Sequence, residues 1–219
     1  MSRFAFNIGL LERPMVQGLV WGLIFGDLHL ALSVSAVFEL FWLDLIPAGT
    51  FIPPNTAISN LAALSTIYFL GLTSPDQAVV PIILAMPLSW VVARLEHVQR
   101  YWQNSSYNAL LRDVKSASKK YSPARFVRKS IIQSVALYFV IFEACAIGLI
   151  VIMSLLRLHG FHVLPQHQLG WGHLWMAASF GPLLSLRLTK AYTFLIIAVC
   201  GIAAAGFFEL WNPLEITIP

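Results

Sequence analysis

The chain is divided into long apolar blocks that contain no Asp, Glu, Lys or Arg, separated by shorter polar segments. Blocks of this kind occupy residues 56–75, 77–93, 171–186 and 191–208, and residues 130–156 form a further block that only Glu143 interrupts. A lipid hydrocarbon core about 30 Å thick requires about 20 helical residues to cross it. Four or five of these blocks therefore predict membrane-spanning α-helices.

The first two blocks, residues 14–26 and 28–38, are too short to cross a membrane alone, and they enclose Asp27. The first block carries glycine at every fourth position, namely Gly18, Gly22 and Gly26. On a helix this spacing makes a smooth strip that a second helix can approach closely. The pattern predicts close helix packing at the start of the chain.

Prolines lie inside the later blocks, Pro81 and Pro87 in one and Pro182 in another. Membrane helices tolerate proline where neighbouring groups satisfy the freed backbone, and broken helices also build binding sites at the middle of the membrane. Kinked packing helices explain each proline equally well. We expect an all-α polytopic membrane protein of about six membrane segments, some of them broken or re-entrant.

The composition supports this class. Of the 219 residues, 58% are hydrophobic and only 11% are charged, and the mean hydropathy is +0.74. Soluble domains have roughly 45–50% apolar and about 25% charged residues. A typical soluble enzyme, a disordered chain and a nucleic-acid-binding module are therefore excluded.

Nine of the fourteen Lys and Arg residues lie between positions 94 and 129. Because cytoplasmic loops are enriched in Lys and Arg, we expect a basic cytoplasmic loop over residues 94–129. It joins a front membrane half (13–93) to a back half (130–211), with short tails at 1–12 and 212–219. The loop has three open interpretations: a solvated segment that only sets topology, a docking surface for a soluble partner, or, in its first part, an amphipathic helix on the membrane surface.

Glu39 is the most informative single residue, because it lies in a stretch that otherwise lacks charge. A carboxylate at membrane depth costs about 2.5–3.5 kcal/mol or more, so it requires a partner, water or a proton. Ser35 and Trp42 lie on the same helical face. A carboxylate, a hydroxyl and an indole together suit a sugar. Substrate contact, pairing with another buried group and proton handling all remain open for Glu39.

Residues 47–55 contain three prolines and a glycine, which cannot continue a helix. Asn55 ends this piece, either as the N-cap of the next helix or as part of a non-helical wall that lines a cavity. For Glu143 we expect structural pairing. The four histidines between 159 and 173 have no helical i, i+4 spacing, so we expect neither a metal nor a cofactor. The sequence also lacks the common catalytic motifs.

The run from Arg13-Pro14 through Gly22, Gly26-Asp27 and Glu39 to Pro54-Asn55 resembles the IIC component of sugar phosphotransferase permeases of the mannose/fructose/sorbose family. The resemblance covers residues 13–55 without a gap and continues more weakly to the basic segment. It implies that Glu39 and Asn55 face the sugar and that Asp27 organises the fold around it. Asn55 stands where the family has an acid.

The same resemblance implies partners. A IID membrane subunit would complete the translocation unit as a hetero-oligomer, and soluble IIA and IIB phosphocarriers would deliver a phosphoryl group from phosphoenolpyruvate. The IIC chain would carry no catalytic residue of its own and would lie in the bacterial inner membrane as a multi-pass protein. No nucleic-acid partner is expected.

Two other functions stay open. Family chains usually have a further apolar segment before the Arg-Pro pair, whereas twelve residues precede it here. This difference suggests a degenerate homologue that acts as a sugar sensor or membrane scaffold. An intramembrane hydrolase or transferase with Asp27 and Glu39 as an acid–base pair is the alternative from the enzyme class.

Overall fold

The computed structural model describes residues 11–43, 53–115, 123–159 and 169–182, and every regular element within these ranges is an α-helix. The helices are α1 (Pro14–Phe25), α2 (Leu28–Phe41), α3 (Thr56–Phe69), α4 (Pro75–Lys115), α5 (Pro123–Leu158) and α6 (Trp171–Ser179). The all-α class is confirmed for this part of the chain. Predictions for the irregular piece before Pro53, the block 191–208 and both tails concern residues outside the described ranges.

Helices α1 and α2 form a hairpin with a two-residue connection. Pro14 occupies the first turn of α1, where its missing N–H leaves no bond unmade. Gly26 ends the helix in the left-handed conformation (φ 80°), and its N–H donates to the carbonyl of Gly22. Asp27 then caps α2, its side chain accepting a hydrogen bond from the Leu30 amide at 3.0 Å. The helices have 12 and 14 residues, or about 18 and 21 Å, so neither crosses a 30 Å core.

Two of the three spaced glycines mediate the close approach of α1 to α2. A Cβ atom on Gly18 would lie 2.7 Å from the Cβ of Ser35 and 2.8 Å from the carbonyl oxygen of Ala31. A Cβ on Gly22 would lie 2.8 Å from the Cα of Leu28. The predicted close packing is confirmed for these two. Gly26 has a different purpose, because no atom lies within 4 Å of its added Cβ and its positive φ terminates the helix.

Helix α3 lies at the centre of the described fold and packs against α1, α2, α4 and α5. Ala62, Ala63, Leu64 and Ile67 are fully buried on it. The helix ends earlier than the uncharged block 56–75 predicted, with Leu70 as its C-cap. The physical reason is Gly71, whose φ of 64° turns the chain out of the helix.

Helices α4 and α5 contain the two described stretches that are long and apolar enough to cross a membrane. They are Pro75–Ser105, with a mean hydropathy of 2.0, and Val127–Leu158, with 2.6. Both Pro81 and Pro87 lie inside α4. The two helices pack against each other and against α3.

The structure differs from the expected loop over 94–129. Helix α4 continues without a break to Lys115 and α5 begins at Pro123, so most of the basic segment is helical. The residues from Leu95 to Arg100 include the good helix formers Leu, Glu, Gln and Arg. Glu96 also pairs with Arg100 one turn later at 2.6 Å. The cytoplasmic location of this segment stays a prediction.

Helix α6 packs against α2 and α4. Trp175 donates its indole N–H to the carbonyl of Ser33 on α2 at 3.1 Å. After the helix, Gly181 comes so close to α2 that an added Cβ would lie 2.5 Å from the carbonyl oxygen of Phe41. Asp76 at the start of α4 accepts a hydrogen bond from the Leu169 amide at 2.9 Å, which fixes the chain that leads into α6.

Candidate substrate site around Glu39

An ion pair joins the two ends of the α1–α2 hairpin. Nη1 of Arg13 lies 2.8 Å from Oε1 of Glu39. The Glu39 side chain is 18% exposed, whereas that of Arg13 is 61% exposed. The second carboxylate oxygen, Oε2, is buried and has no hydrogen-bond partner within the described ranges. Glu39 therefore has one satisfied oxygen, one unsatisfied oxygen and a counter-ion that reaches the surface.

Asn60 on α3 holds the first turn of α1 and so positions Arg13. Its Nδ2 donates to the carbonyl of Pro14 and to Oε1 of Gln17, both at 3.2 Å. Its Oδ1 accepts from the Ser35 hydroxyl, also at 3.2 Å. Asn60 is fully buried, and polar side chains of this kind hold membrane helices together. We call Asn60, Gln17 and Ser35 the polar hub.

Charge and glycine spacing point to Ser35 but not to Asn60 or Gln17, so the sequence pattern did not predict this hub. The available signal was an amide inside an apolar block without Asp, Glu, Lys or Arg. Such a residue has to find hydrogen-bond partners on neighbouring helices. The identity of those partners depends on the packing of three helices.

Ser35 and Trp42 do not join Glu39 on one open surface. Ser35 is fully buried between Gly18 and Asn60. Trp42 is only 8% exposed, and its ring centroid lies 6.0 Å from that of Phe38 and 4.8 Å from that of Phe41. Trp42 also follows the last residue of α2 as its C-cap, outside regular helical geometry. Both side chains therefore make protein contacts in this conformation, and their contact with a sugar stays a proposal.

Asn55 and Asp27 are both helix caps. The Asn55 side chain accepts from the Ile58 amide at 3.2 Å, which confirms its predicted use as the N-cap of α3. Its own amide donates to the carbonyl of Ser89 on α4 at 3.0 Å. Asp27 caps α2, and its carbonyl accepts from the Tyr68 hydroxyl at 2.8 Å. These contacts tie the start of α3 to α4 and the hairpin turn to α3.

The acid–base alternative is incompatible with this geometry. Asp27 precedes α2 and Glu39 lies in its last turn, about 18 Å apart at a rise of 1.5 Å per residue. A general acid and a general base must both reach the same reacting group. The two carboxylates therefore do not form a catalytic pair.

Other candidate groups remain outside the site. Within the described ranges no three His, Cys, Asp or Glu side chains are arranged to hold a metal ion. His173 accepts a hydrogen bond from the Gly170 amide at 3.0 Å at the start of α6. Glu143 is half-buried on α5, and neither ion pair between described residues includes it. Its expected structural pairing stays a prediction.

The described ranges are all-helical, with two helices long and apolar enough to cross a membrane and a largely buried carboxylate with one unsatisfied oxygen. These features fit a membrane protein with a candidate binding site. A solved chain described as “Structure of membrane protein” has the same fold, with a TM-score of 0.55 and 14% identity over 94% of this chain and 89% of that chain. The family model described as “PTS system sorbose-specific iic component” matches residues 2–166.

The chain therefore belongs to the family of sorbose-specific IIC components of the phosphotransferase system, which are membrane subunits of sugar permeases. This confirms the resemblance seen in residues 13–55. A curated relative from Escherichia coli (strain K12), named “Putative N-acetylgalactosamine permease IIC component 2”, is 33% identical over 81 residues. That match covers 36% of this chain and 60% of the relative, so the chain matches less than two thirds of the relative's length.

Proposed function

We propose that this chain is the IIC-type subunit of a phosphoenolpyruvate-dependent sugar phosphotransferase system. It binds a hexose-type sugar of the mannose/fructose/sorbose class and moves it across the bacterial inner membrane as a multi-pass protein. A IID subunit completes the translocation unit. Soluble IIA and IIB components supply the phosphoryl group, so the chain needs no catalytic residue of its own.

The state of Glu39 is the observation that carries this proposal. A carboxylate in a helix that otherwise lacks Asp, Glu, Lys and Arg is costly in a membrane. Among the described residues this one has a single, well-exposed counter-ion and an unsatisfied second oxygen. Sugar hydroxyls donate hydrogen bonds that satisfy such an oxygen. Arg13 pairs with Oε1 between transport cycles, and a small movement of its exposed side chain opens Oε1 as well.

The other site residues support Glu39 in the proposed mechanism. The polar hub fixes α1 against α2 and α3, so Arg13 and Glu39 stay aligned. Asn55 lies where α3 begins beside α4, and in the proposed cycle its amide meets the sugar when that junction opens. Asp27 holds the far end of the hairpin. Ser35 and Trp42 form the wall behind Glu39.

Sugar uptake in cells that carry Glu39→Gln tests the proposal. A hydrogen bond to a charged group contributes about 1.5–3 kcal/mol, against about 0.5–1.5 kcal/mol for a neutral one. The difference of about 1–1.5 kcal/mol predicts an increase in the apparent KM of roughly five- to tenfold. Mannose, fructose, sorbose and N-acetylgalactosamine are the sugars to compare, the last because of the name of the relative.

Glu96→Gln is the matched control, because Glu96 also forms an ion pair with an arginine and its side chain is buried. Its loss should reduce the amount of folded protein without changing the KM of the transport that remains. Unchanged uptake and affinity in Glu39→Gln would remove Glu39 from the sugar site. A third outcome would instead favour the sensor function: the purified protein binds sugar, but cells that contain all partner subunits do not take it up.

A further inference from the structure

A polar groove lies between α4 and α5 at one end of the two membrane-length stretches. These stretches have 31 and 32 residues, or about 46–48 Å at 1.5 Å per residue. They exceed a 30 Å hydrocarbon core by several residues at each end, and those residues reach the headgroup layer. The last turns before Ser105 and the first turns after Val127 adjoin one another, so this end of the pair lies at headgroup depth.

The groove has a volume of about 370 Å³. Its α4 wall consists of Gln99, Trp102 and Gln103, and its α5 wall includes Lys129, Gln133 and Leu137. Trp102 is 62% exposed and its neighbour Tyr101 is 74% exposed. Exposed aromatic residues of this type mark the boundary between hydrocarbon and headgroups. The groove is therefore cationic and polar at Lys129 and the glutamine amides, and apolar at Leu137.

Hydrogen bonds inside the groove orient the two glutamine amides. Nε2 of Gln99 and Nε2 of Gln103 both donate to the Ser134 hydroxyl, at 2.9 and 3.0 Å, and that hydroxyl donates to the carbonyl of Ser130 at 2.9 Å. A hydroxyl has one donor and two acceptor positions, so Ser134 is saturated. The amide carbonyl oxygens of the two glutamines remain as acceptors for hydroxyl groups.

Lys129 supplies the positive charge of the groove. Its side chain is exposed, and neither ion pair between described residues includes it. Arg128 precedes it near the start of α5, within the basic segment 94–129. Basic pockets between membrane helices at this depth attract anionic lipid headgroups.

We propose that this groove binds the headgroup of an anionic glycerophospholipid that carries free hydroxyls, of the phosphatidylglycerol type. The phosphodiester lies on Lys129 and the Gln133 amide, and the headgroup hydroxyls donate to the carbonyl oxygens of Gln99 and Gln103. The glycerol backbone and acyl chains continue over Leu137 onto the apolar surface of α5, where Val140, one turn further on, is 61% exposed. An acyl chain explains the apolar part of the groove at Leu137, which a soluble phosphate would not use.

The experiment measures lipid binding to the purified full chain in detergent, by native mass spectrometry and by the lipid-induced rise in the unfolding temperature. Phosphatidylglycerol and phosphatidylcholine with identical acyl chains are compared, together with soluble glycerol phosphate. Lys129→Gln is the test variant, and Lys129→Arg keeps the charge. Arg157→Gln is the matched control, because Arg157 is an exposed cation in the last turn of the same helix.

We expect phosphatidylglycerol to bind more tightly than phosphatidylcholine. Lys129→Gln should weaken phosphatidylglycerol binding about fivefold, because one basic residue contributes about 1 kcal/mol to binding an anionic lipid. Lys129→Arg and Arg157→Gln should bind as the unchanged protein does. Equal binding of the two lipids, or equal losses in Lys129→Gln and Arg157→Gln, would overturn the proposal. An equal stabilisation by glycerol phosphate would also overturn it, because the groove would then recognise a free phosphate group.

Discussion

Replacement of Gly18 by alanine tests the α1–α2 packing directly. The new Cβ would lie 2.7 Å from the Ser35 Cβ and 2.8 Å from the Ala31 carbonyl oxygen, against 3.4–4 Å for ordinary contact. The helices would have to separate by roughly 1 Å, and overpacking of this kind costs about 1–3 kcal/mol. Displacement of Ser35 also weakens its bond to Asn60, for about 0.5–1.5 kcal/mol more.

Thermal unfolding of the purified chain in detergent measures this loss. One kcal/mol corresponds to about 2–4 °C for a chain of this size, so a total loss of about 1.5–4.5 kcal/mol should make Gly18→Ala unfold about 3–18 °C below the unchanged protein. The matched control is Gly148→Ala on α5, because no atom lies within 4 Å of the added Cβ. That change should be neutral or stabilise the helix by up to about 1 kcal/mol.

A compensating change on α2 makes the test specific. Ser35→Gly removes both side-chain atoms that the new methyl group would meet, whereas the Ala31 carbonyl stays in place. The double variant Gly18→Ala, Ser35→Gly should therefore lose less stability than the two single changes added together, by about 1 kcal/mol or more. Additive losses, or a Gly18→Ala protein as stable as Gly148→Ala, would refute the reasoning that these helices touch at Gly18.

Two further changes test the hairpin and its contact with α6. Arg13→Gln leaves the largely buried Glu39 carboxylate without its ion-pair partner. Membrane abundance and sugar uptake should therefore fall more than in Arg13→Lys, and the double variant with Glu39→Gln should recover abundance. Unchanged abundance and uptake in Arg13→Gln would contradict the pairing. Gly181→Ala places a methyl group 2.5 Å from the Phe41 carbonyl oxygen, which is backbone and cannot rotate away. The unfolding temperature of Gly181→Ala should fall below that of the unchanged protein. Gly172→Ala is the control, because its added methyl group meets no atom within 4 Å and its unfolding temperature should not change. Equal unfolding temperatures for the two variants would contradict the close approach at Gly181.

The glycine spacing in α1 predicts which face of the helix packs closely, but it does not predict where the helix ends. Spacing by four identifies the face that another helix approaches, and Gly18 and Gly22 lie on that face. The same spacing does not tell where the helix stops. Gly26 continues the series, but its φ of 80° makes it the end of α1. A glycine suits both purposes, so the pattern alone does not separate them.

The chemistry of Glu39 was predictable, but its partner was not. The sequence shows that a lone carboxylate in an apolar segment requires compensation. Arg13 is 26 residues away, and only the turn at Gly26 and Asp27 brings the two ends of the hairpin together. The partners of Asn60 could not be predicted for a related reason, because its three hydrogen bonds join it to two other helices.

The basic segment 94–129 shows that charge does not predict backbone conformation. An excess of Lys and Arg predicts on which side of a membrane a segment lies, and it contains no information about backbone conformation. Arg94 and Arg100 occupy the same continuous helix as the apolar residues before them. Charge density marks a change of environment along α4 rather than the end of the helix.

The shortness of α1 and α2 has a consequence for the topology of the whole chain. We expect a hairpin whose arms are about 18 and 21 Å long to return to the membrane face from which it started, in agreement with the contact between its two ends at Arg13 and Glu39. Such a hairpin would add no crossing. Reporter groups placed before Arg13 and just after Leu43 would then be labelled from the same side, and the sidedness of everything that follows is set by the helices beyond the hairpin.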